Sequence, residues 1–310
     1  LMERDHLPGL AACITRDTSL LWCGGYGAAR LEPHVPATPD TPFLIASVSK
    51  AVVGVALQQA REAVGLDLDA DINDLLPFPV RHPTHPDIPL TARRLATHTA
   101  GVADHWDVMD ALYTDGADSP LPLGDFLRDY LVPGGRWFHA RKNFTRAAPA
   151  QAAVYTNIGA ALAAYVVERA TDTPFDRWCH DRLFTPLGMD AAWRLADLDP
   201  DDVALPYVWR QDDWVTPGHY GFPDYPSGQL RTSARALARL LLALARGGVL
   251  DGQRVLSPEG VQALFTIPYP HLDPDQGLLW YRWSLDGQTV WGHNGRSEER
   301  RVGKECRSRW

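Results

Sequence analysis

Small, polar and apolar residues alternate through GLAACITRDTSLLWCGGYGAA, which predicts two strands around a turn at 16–19. TPDTPF then reads as a loop. The stretch SVSKAVVGVALQQAREAV puts Val48, Ala51, Val52 and Val55 at helical spacing and ends near Gly65. DLDADINDLLPFP is a turn-rich connection. From 91 to about 195 helical spacing dominates, broken by loops near 117–122 and 133–149. SARALARLLLALAR predicts a helix over 233–246 with Leu237, Leu240, Leu241 and Leu244 on one face, Ser233 as its cap and Gly247 at its end. LWYRWSLDGQTVWGHNG reads as two strands around Asp286-Gly287. The opening LMERDHLPGL reads as the last turns of a helix entering a loop, so the start of the protein is expected to lie upstream, and with it any signal peptide. Strands at both ends with helices between them predict an α+β protein whose sheet is assembled from distant parts of the chain.

A chain of 310 residues, 45% hydrophobic, can bury a substantial core. Its formal charge of −8 argues against a nucleic-acid partner, because an acidic surface repels phosphate. No run of 18 apolar residues is present to span a membrane. Cys13, Cys23, Cys179 and Cys306 show neither a C-x-x-C pair nor a histidine at zinc spacing. Plain buried thiols are expected. A bridge between Cys13 and Cys23 across the hairpin is the alternative, disfavoured because adjacent-strand bridges are geometrically awkward.

Ser47 and Lys50 form an S-x-x-K. On a helix the two share a face, so the amine can reach the hydroxyl. Serine needs a base beside it to act as a nucleophile, and lysine serves as that base only when its environment favours the neutral amine. Composition sharpens the reading: of thirty basic residues only three are lysines, Lys50, Lys142 and Lys304. A chain that uses arginine almost everywhere keeps at position 50 the one cation that can lose its proton. The bland alternative is a solvated lysine at a helix start. Tyr155-Thr156-Asn157 is a Y-x-N just ahead of a helical run. The tyrosine can move a proton there and the asparagine can bond an amide or ester, unless they are a half-buried ring and a cap. His293-Asn294-Gly295 follows a strand, where glycine admits a ligand close to the backbone, unless it is merely a polar hairpin end. His82, His85 and His98 have no companion acids at ligand spacing, so no metal site is expected. No cofactor is expected either.

These three motifs, in this order and spacing, resemble the serine beta-lactamase and penicillin-binding-protein superfamily, in the branch of class C beta-lactamases, D-peptidases and related carboxylesterases. DTPFLIASVSK is similar to that family's approach to its nucleophile, LATHTAGV to its H-T-S-G segment and LFTPLGM to its P-L-G-M stretch. YPSGQLRTSARALARLLLALARGGVLDGQRVLSP is similar to its glycine loop, helix and following turn. The likeness runs from about 9 to 295. It implies a beta-lactamase/transpeptidase-like fold: an antiparallel sheet flanked by helices (1–65 and 228–295) beside a mostly helical part (66–227). It implies Ser47 as the acylated nucleophile, Lys50 and Tyr155 as proton carriers, and Asn157, His293 and Gly295 at the substrate. The oxyanion hole would be the backbone N–H of Ser47 and of Arg296. The substrate would be a small ester, amide or peptide, and export from the cytoplasm is implied by the same likeness. His293 stands where beta-lactamases have a lysine, which puts beta-lactam hydrolysis in doubt and leaves esterase and D-peptidase readings open. A non-catalytic sensor that keeps the fold is a further alternative.

The relatives continue past H-x-G with two strands and a C-terminal helix, whereas RSEERRVGKECRSRW resembles the translation of a short-read sequencing adapter. Residues 296–310 are therefore expected to be a non-native tail, without which the body charge becomes −11. The strands so lacking would lie between the N-terminal hairpin and the strand that carries His293, leaving raw sheet edges. The chain as written is expected to fold poorly and to hydrolyse esters weakly. A form carrying a relative's last strands and helix after Gly295 should recover solubility and ester turnover. Equal solubility, cooperative melting and equal turnover in the two forms would refute both the adapter reading and the missing strands.

Overall fold

The computed structural model describes residue 2 and residues 4–295. The readings placed on Arg296, on Lys304 and Cys306, and on the tail as a whole lie outside the described residues. Strands β1 (Gly9–Arg16) and β2 (Ser19–Arg30) form the expected antiparallel hairpin, with Arg16 opposite Ser19 and Asp17 in the left-handed region at φ +53°. Ahead of it the described residues are turns and a bend, not the end of a helix. Pro8 biases its predecessor away from helical backbone. β3 (Val35–Pro36) adds to the other edge of β2. Cys13 and Cys23 stand directly opposite each other with Cα atoms 4.1 Å apart and form a disulfide. That overturns the expectation of free thiols at these positions. Facing residues of an antiparallel pair that share no ladder bonds approach to about 4.5 Å, near the short end of what a bridge spans. Cys179 is a buried thiol, as expected.

The architecture is α+β. After β4 (Phe43–Leu44) and a single 3-10 turn (Ala46–Val48) comes helix α1 (Ser49–Val64), closed by Gly65 at φ +72°. Every α1 residue from Ser49 to Ala60 is buried. A helix covered on all sides is the centre of a core, not its rim. Helix α2 (Leu123–Leu131) and helix α3 (Asn157–Thr171) share that core, and α3 packs directly on α1. β4 and β5 (Ala191–Ala192) flank β6 (Arg231–Thr232) in a second small sheet. Helix α4 (Ala234–Ala245) starts on Ser233, whose hydroxyl accepts the Ala236 N–H at 3.1 Å, and packs on β1. Its buried residues are Ala236, Ala238, Leu240, Leu242, Ala243 and Leu244. Leu241, expected on the buried face, is 46% exposed. The small alanines let the helix sit close, and the core stripe turns toward them.

After helix α5 (Pro258–Leu264), β7 (Tyr281–Leu285) and β8 (Gln288–Gly292) pair through Asp286 at φ +48° and Gly287 at φ +76°. Positive φ at both central residues is the two-residue hairpin geometry that an Asp-Gly pair favours. The run into β7 is locked onto the 92–96 helix and onto α1. Leu279 N–H bonds the Ala96 carbonyl at 2.8 Å, and the Trp280 indole donates to the Ala51 carbonyl at 3.2 Å. At Gly54 the Leu278 carbonyl passes so close that an added Cβ would lie 2.3 Å from its oxygen.

Gly54→Ala therefore tests whether this contact is rigid. Helix propensity alone would favour alanine by about 1 kcal/mol. Overpacking against a backbone carbonyl costs about 1–3 kcal/mol. The variant should unfold at lower urea concentration than the unaltered chain. A higher midpoint would show that the 277–280 segment is not fixed against α1.

Candidate active site

Ala46 holds φ +47°, an unfavourable backbone for a residue with a Cβ, immediately before Ser47. The turn lifts Ser47 to a half-buried position at the mouth of α1, one helical turn from Lys50. Lys50 has no exposed surface at all, and a buried charge must be paired or hydrogen-bonded throughout. Its Nζ lies 3.0 Å from Ser47 Oγ, 2.6 Å from Asn157 Oδ1 and 2.6 Å from the Ser227 carbonyl oxygen. Two of these partners can only accept. The third is a hydroxyl, which can donate or accept. One proton can thus move between Ser47 and Lys50 while the bonds to Asn157 and Ser227 stay in place: ammonium facing a hydroxyl acceptor, or amine facing a hydroxyl donor.

Tyr155 closes this pair from above, with Lys50 Nζ 4.9 Å from its ring centroid. Thr156, not Asn157, caps α3: its hydroxyl accepts the Gly159 N–H at 3.2 Å. Asn157 is thereby the first helical residue, and its amide side chain is turned to Lys50. His293 stands across from Tyr155, ring centroids 6.1 Å apart. Its Nδ1 bonds the Asn294 carbonyl at 2.6 Å, which leaves Nε2 as the unprotonated nitrogen of a neutral ring. Burial first, then the Lys50 charge, holds the imidazole at about 4. Gly295 lies so near the Ile45 carbonyl that a Cβ there would sit 2.4 Å from it. Only glycine brings the third motif this close to the turn that bears the serine. Ser47, Lys50, Tyr155, Asn157, His293 and Gly295 are thus brought together from three distant stretches. The Arg296 N–H, expected to complete the oxyanion hole, lies outside the described residues.

Four further participants were not among the predicted site residues. Ser227 contributes a backbone carbonyl, for which any residue serves. Asp224 accepts from Ser227 Oγ at 2.8 Å and is fully buried. Burial, with Asp104 adding to it, pushes its carboxyl up to about 6 against the Ser227 bond and the Lys50 charge. Asp104 accepts from Thr156 Oγ1 at 2.7 Å and from the Asn157 and Ile158 N–H groups at 2.9 and 3.1 Å. His98, at φ +57°, packs its ring 4.6 Å from that of Tyr155. Burial, then Lys50 and His293, keep it neutral, well below the ordinary histidine range. His82 bonds the Thr145 carbonyl at 3.1 Å, which ties two loops together.

The beta-lactamase family model matches residues 1–302. The human serine beta-lactamase-like protein LACTB, mitochondrial, is 35% identical over 96 residues, 31% of this chain and 18% of that protein. Penicillin-binding protein 4 of Amycolatopsis lactamdurans is 26% identical over 319 residues, 96% of this chain and 77% of the relative. The chain spans less than two thirds of the length of the first relatives it matches. Among solved structures, the D-amino acid amidase of Ochrobactrum anthropi SV3 superposes with a TM-score of 0.75 at 18% identity, over 95% of this chain and 81% of the amidase. At that identity the likeness is one of fold.

The site sets a pH signature. His98 and His293 titrate below the ordinary 6.5 when folded, so their share of stability is full above 6.5 and is lost as pH falls. Asp224 titrates above its ordinary 3.8, so the folded state holds an extra proton between about 4 and 6, and its share is lost as pH rises through that window. The two trends oppose. Asp224→Asn removes one of them, so stability should climb more steeply from pH 4 to 6.5 than in the unaltered chain, as read from urea midpoints. An equal or shallower climb would show that Asp224 ionises as a solvated carboxylate does.

Proposed function

This chain belongs to the beta-lactamase family, and from that premise we propose that it is a serine hydrolase working through an acyl-enzyme on Ser47. One observation carries the reading: a wholly buried lysine that shares a proton with Ser47 and donates to Asn157 and Ser227. In acylation the Ser47 proton passes to Lys50 Nζ while Oγ forms its bond to the substrate carbonyl carbon. Lys50 keeps its other two N–H bonds to Asn157 and Ser227 throughout, so the base does not reorient. The proton then leaves Lys50 for the departing alkoxide or amine, with Tyr155, whose ring borders Nζ, as the carrier. Water attacks the acyl carbon by the reverse route, and the acid product departs with Ser47 restored. A backbone N–H at Ser47 aimed at the developing oxyanion would contribute a few kcal/mol.

His293 favours esters and simple amides over beta-lactams. A neutral imidazole gives a substrate carboxylate no fixed cation to bind. A D-amino-acid peptidase of the penicillin-binding type is the second reading, supported by the relative that matches 96% of this chain.

Both readings are tested in the form extended after Gly295, with the chain as written beside it. A fluorophosphonate should add one label per molecule, by intact mass, and Ser47→Ala should take none. Turnover of p-nitrophenyl esters, nitrocefin and D-alanyl peptides, compared side by side, should rank esters first. Ester turnover that survives Ser47→Ala contradicts the mechanism. An acyl adduct that forms and never hydrolyses would make the protein a sensor instead.

A further inference from the structure

Lys50 is held by two acceptors that cannot donate, and each of these is backed by a carboxylate. Asn157 Oδ1 takes one N–H at 2.6 Å, while the Asn157 backbone N–H lies 2.9 and 3.0 Å from the two oxygens of Asp104. The Ser227 carbonyl takes another at 2.6 Å, while the Ser227 hydroxyl donates to Asp224 at 2.8 Å. We propose that Asp104 and Asp224 are positioning residues that set the place and the ionisation of Lys50 from opposite sides, each acting through the neutral group between.

The geometry has a purpose that direct contact would defeat. A carboxylate touching Nζ would form an ion pair and hold the proton on the amine. A buried amine with no negative charge near it would lose its proton outright and be too weak a base to take one from Ser47. One intervening neutral residue gives intermediate strength. Asp104 also sits at the N-terminus of the 15-residue helix α3, where the free N–H groups and the helix dipole favour an anion. It fixes the first residue of that helix, and Asn157 is that residue. Asp224 is fixed by the 3-10 turn Tyr225–Ser227, which carries the second acceptor. The groups that face Lys50 include Ser47 beside it, Tyr155 and Asn157 at the start of α3, His98 just after the 92–96 helix, His293 from the end of β8, and the two carboxylates. Along α1 the next charged residue is Arg61. Both imidazoles are neutral near pH 7. Of the groups named, the two carboxylates are the ones able to bias Lys50 there.

The inference rests on Lys50 as the base, but its test needs no catalysis. The chain has three lysines, so 13C-labelled lysine gives three side-chain signals, and Lys50→Arg identifies which one is Lys50. Asp104→Asn keeps the oxygen that accepts most of the α3 bonds, and Asp224→Asn keeps an acceptor for Ser227 Oγ. Each removes only the charge. The Lys50 signal should titrate at lower pH in each variant, and lower still in the double variant. Asp118→Asn is the control, since Asp118 bonds Gln229 and the 195–196 backbone instead. It should leave the midpoint in place. In the unaltered chain the same signal should show a separate step near pH 6 as Asp224 ionises. That readout stands even if a variant fails to fold. A midpoint unchanged in either folded variant, or no step near pH 6 in the unaltered chain, overturns the proposal. Absence of hydrolysis in the form extended after Gly295 would count against the hydrolase reading and leave this result standing.

Discussion

The ammonium of Lys50, buried without any exposed surface, constrains everything around it. Such a group is unfavourable in a protein interior unless each of its protons has a partner. Meeting that demand needs acceptors from three separate stretches: the serine turn, the first residue of α3 and the 3-10 turn at 225–227. These stretches are 107 and 177 residues from Lys50 in sequence, so the site can form only when the two central helices and the small β4–β6–β5 sheet have docked. The core and the chemistry are in this sense one structure. α1 is covered all round because its first turn must be kept from water, and the close contacts at Gly54 and Gly295 bring β7 and the third motif against it.

The elements that were legible in the sequence are those whose residue type is itself the signal. Ser47 and Lys50 were readable because a helical i, i+3 spacing dictates contact, and because arginine almost everywhere else made one lysine conspicuous. Asp286-Gly287 was readable because few pairs adopt its backbone. Tyr155, Asn157 and His293 were weak one by one and gained weight only from their order, since a sequence carries no distances. Less legible was anything delivered by the backbone or fixed by packing. The Ser227 carbonyl has no residue type. Asp104 and Asp224 look like ordinary loop acids until α3 and the 3-10 turn bring them beside Lys50. The Cys13–Cys23 bridge depends on register, and Leu241 depends on which side of α4 the sheet meets.

Electrostatics at the site follow from the same burial. Desolvation drives His98 and His293 to the neutral form and Asp224 toward protonation. Near neutrality the pocket contains two uncharged imidazoles, and the Lys50 amine sits beneath the serine instead of at the third motif. That arrangement puts a proton acceptor beside the serine and leaves the substrate side neutral. Esters and amides without a recognition carboxylate fit such a site.

The central claim is that Lys50 takes the Ser47 proton, and the most direct measurement is the rate of Ser47 acylation in Lys50→Arg. Arginine keeps the positive charge but cannot give up its proton. With a p-nitrophenyl ester under single-turnover conditions, acylation in the extended form should slow by about 10²–10⁴-fold, the usual share of general-base catalysis. Acylation in Lys50→Arg at the rate of the unaltered protein would contradict the account, because the serine would then be activated by something other than the buried amine.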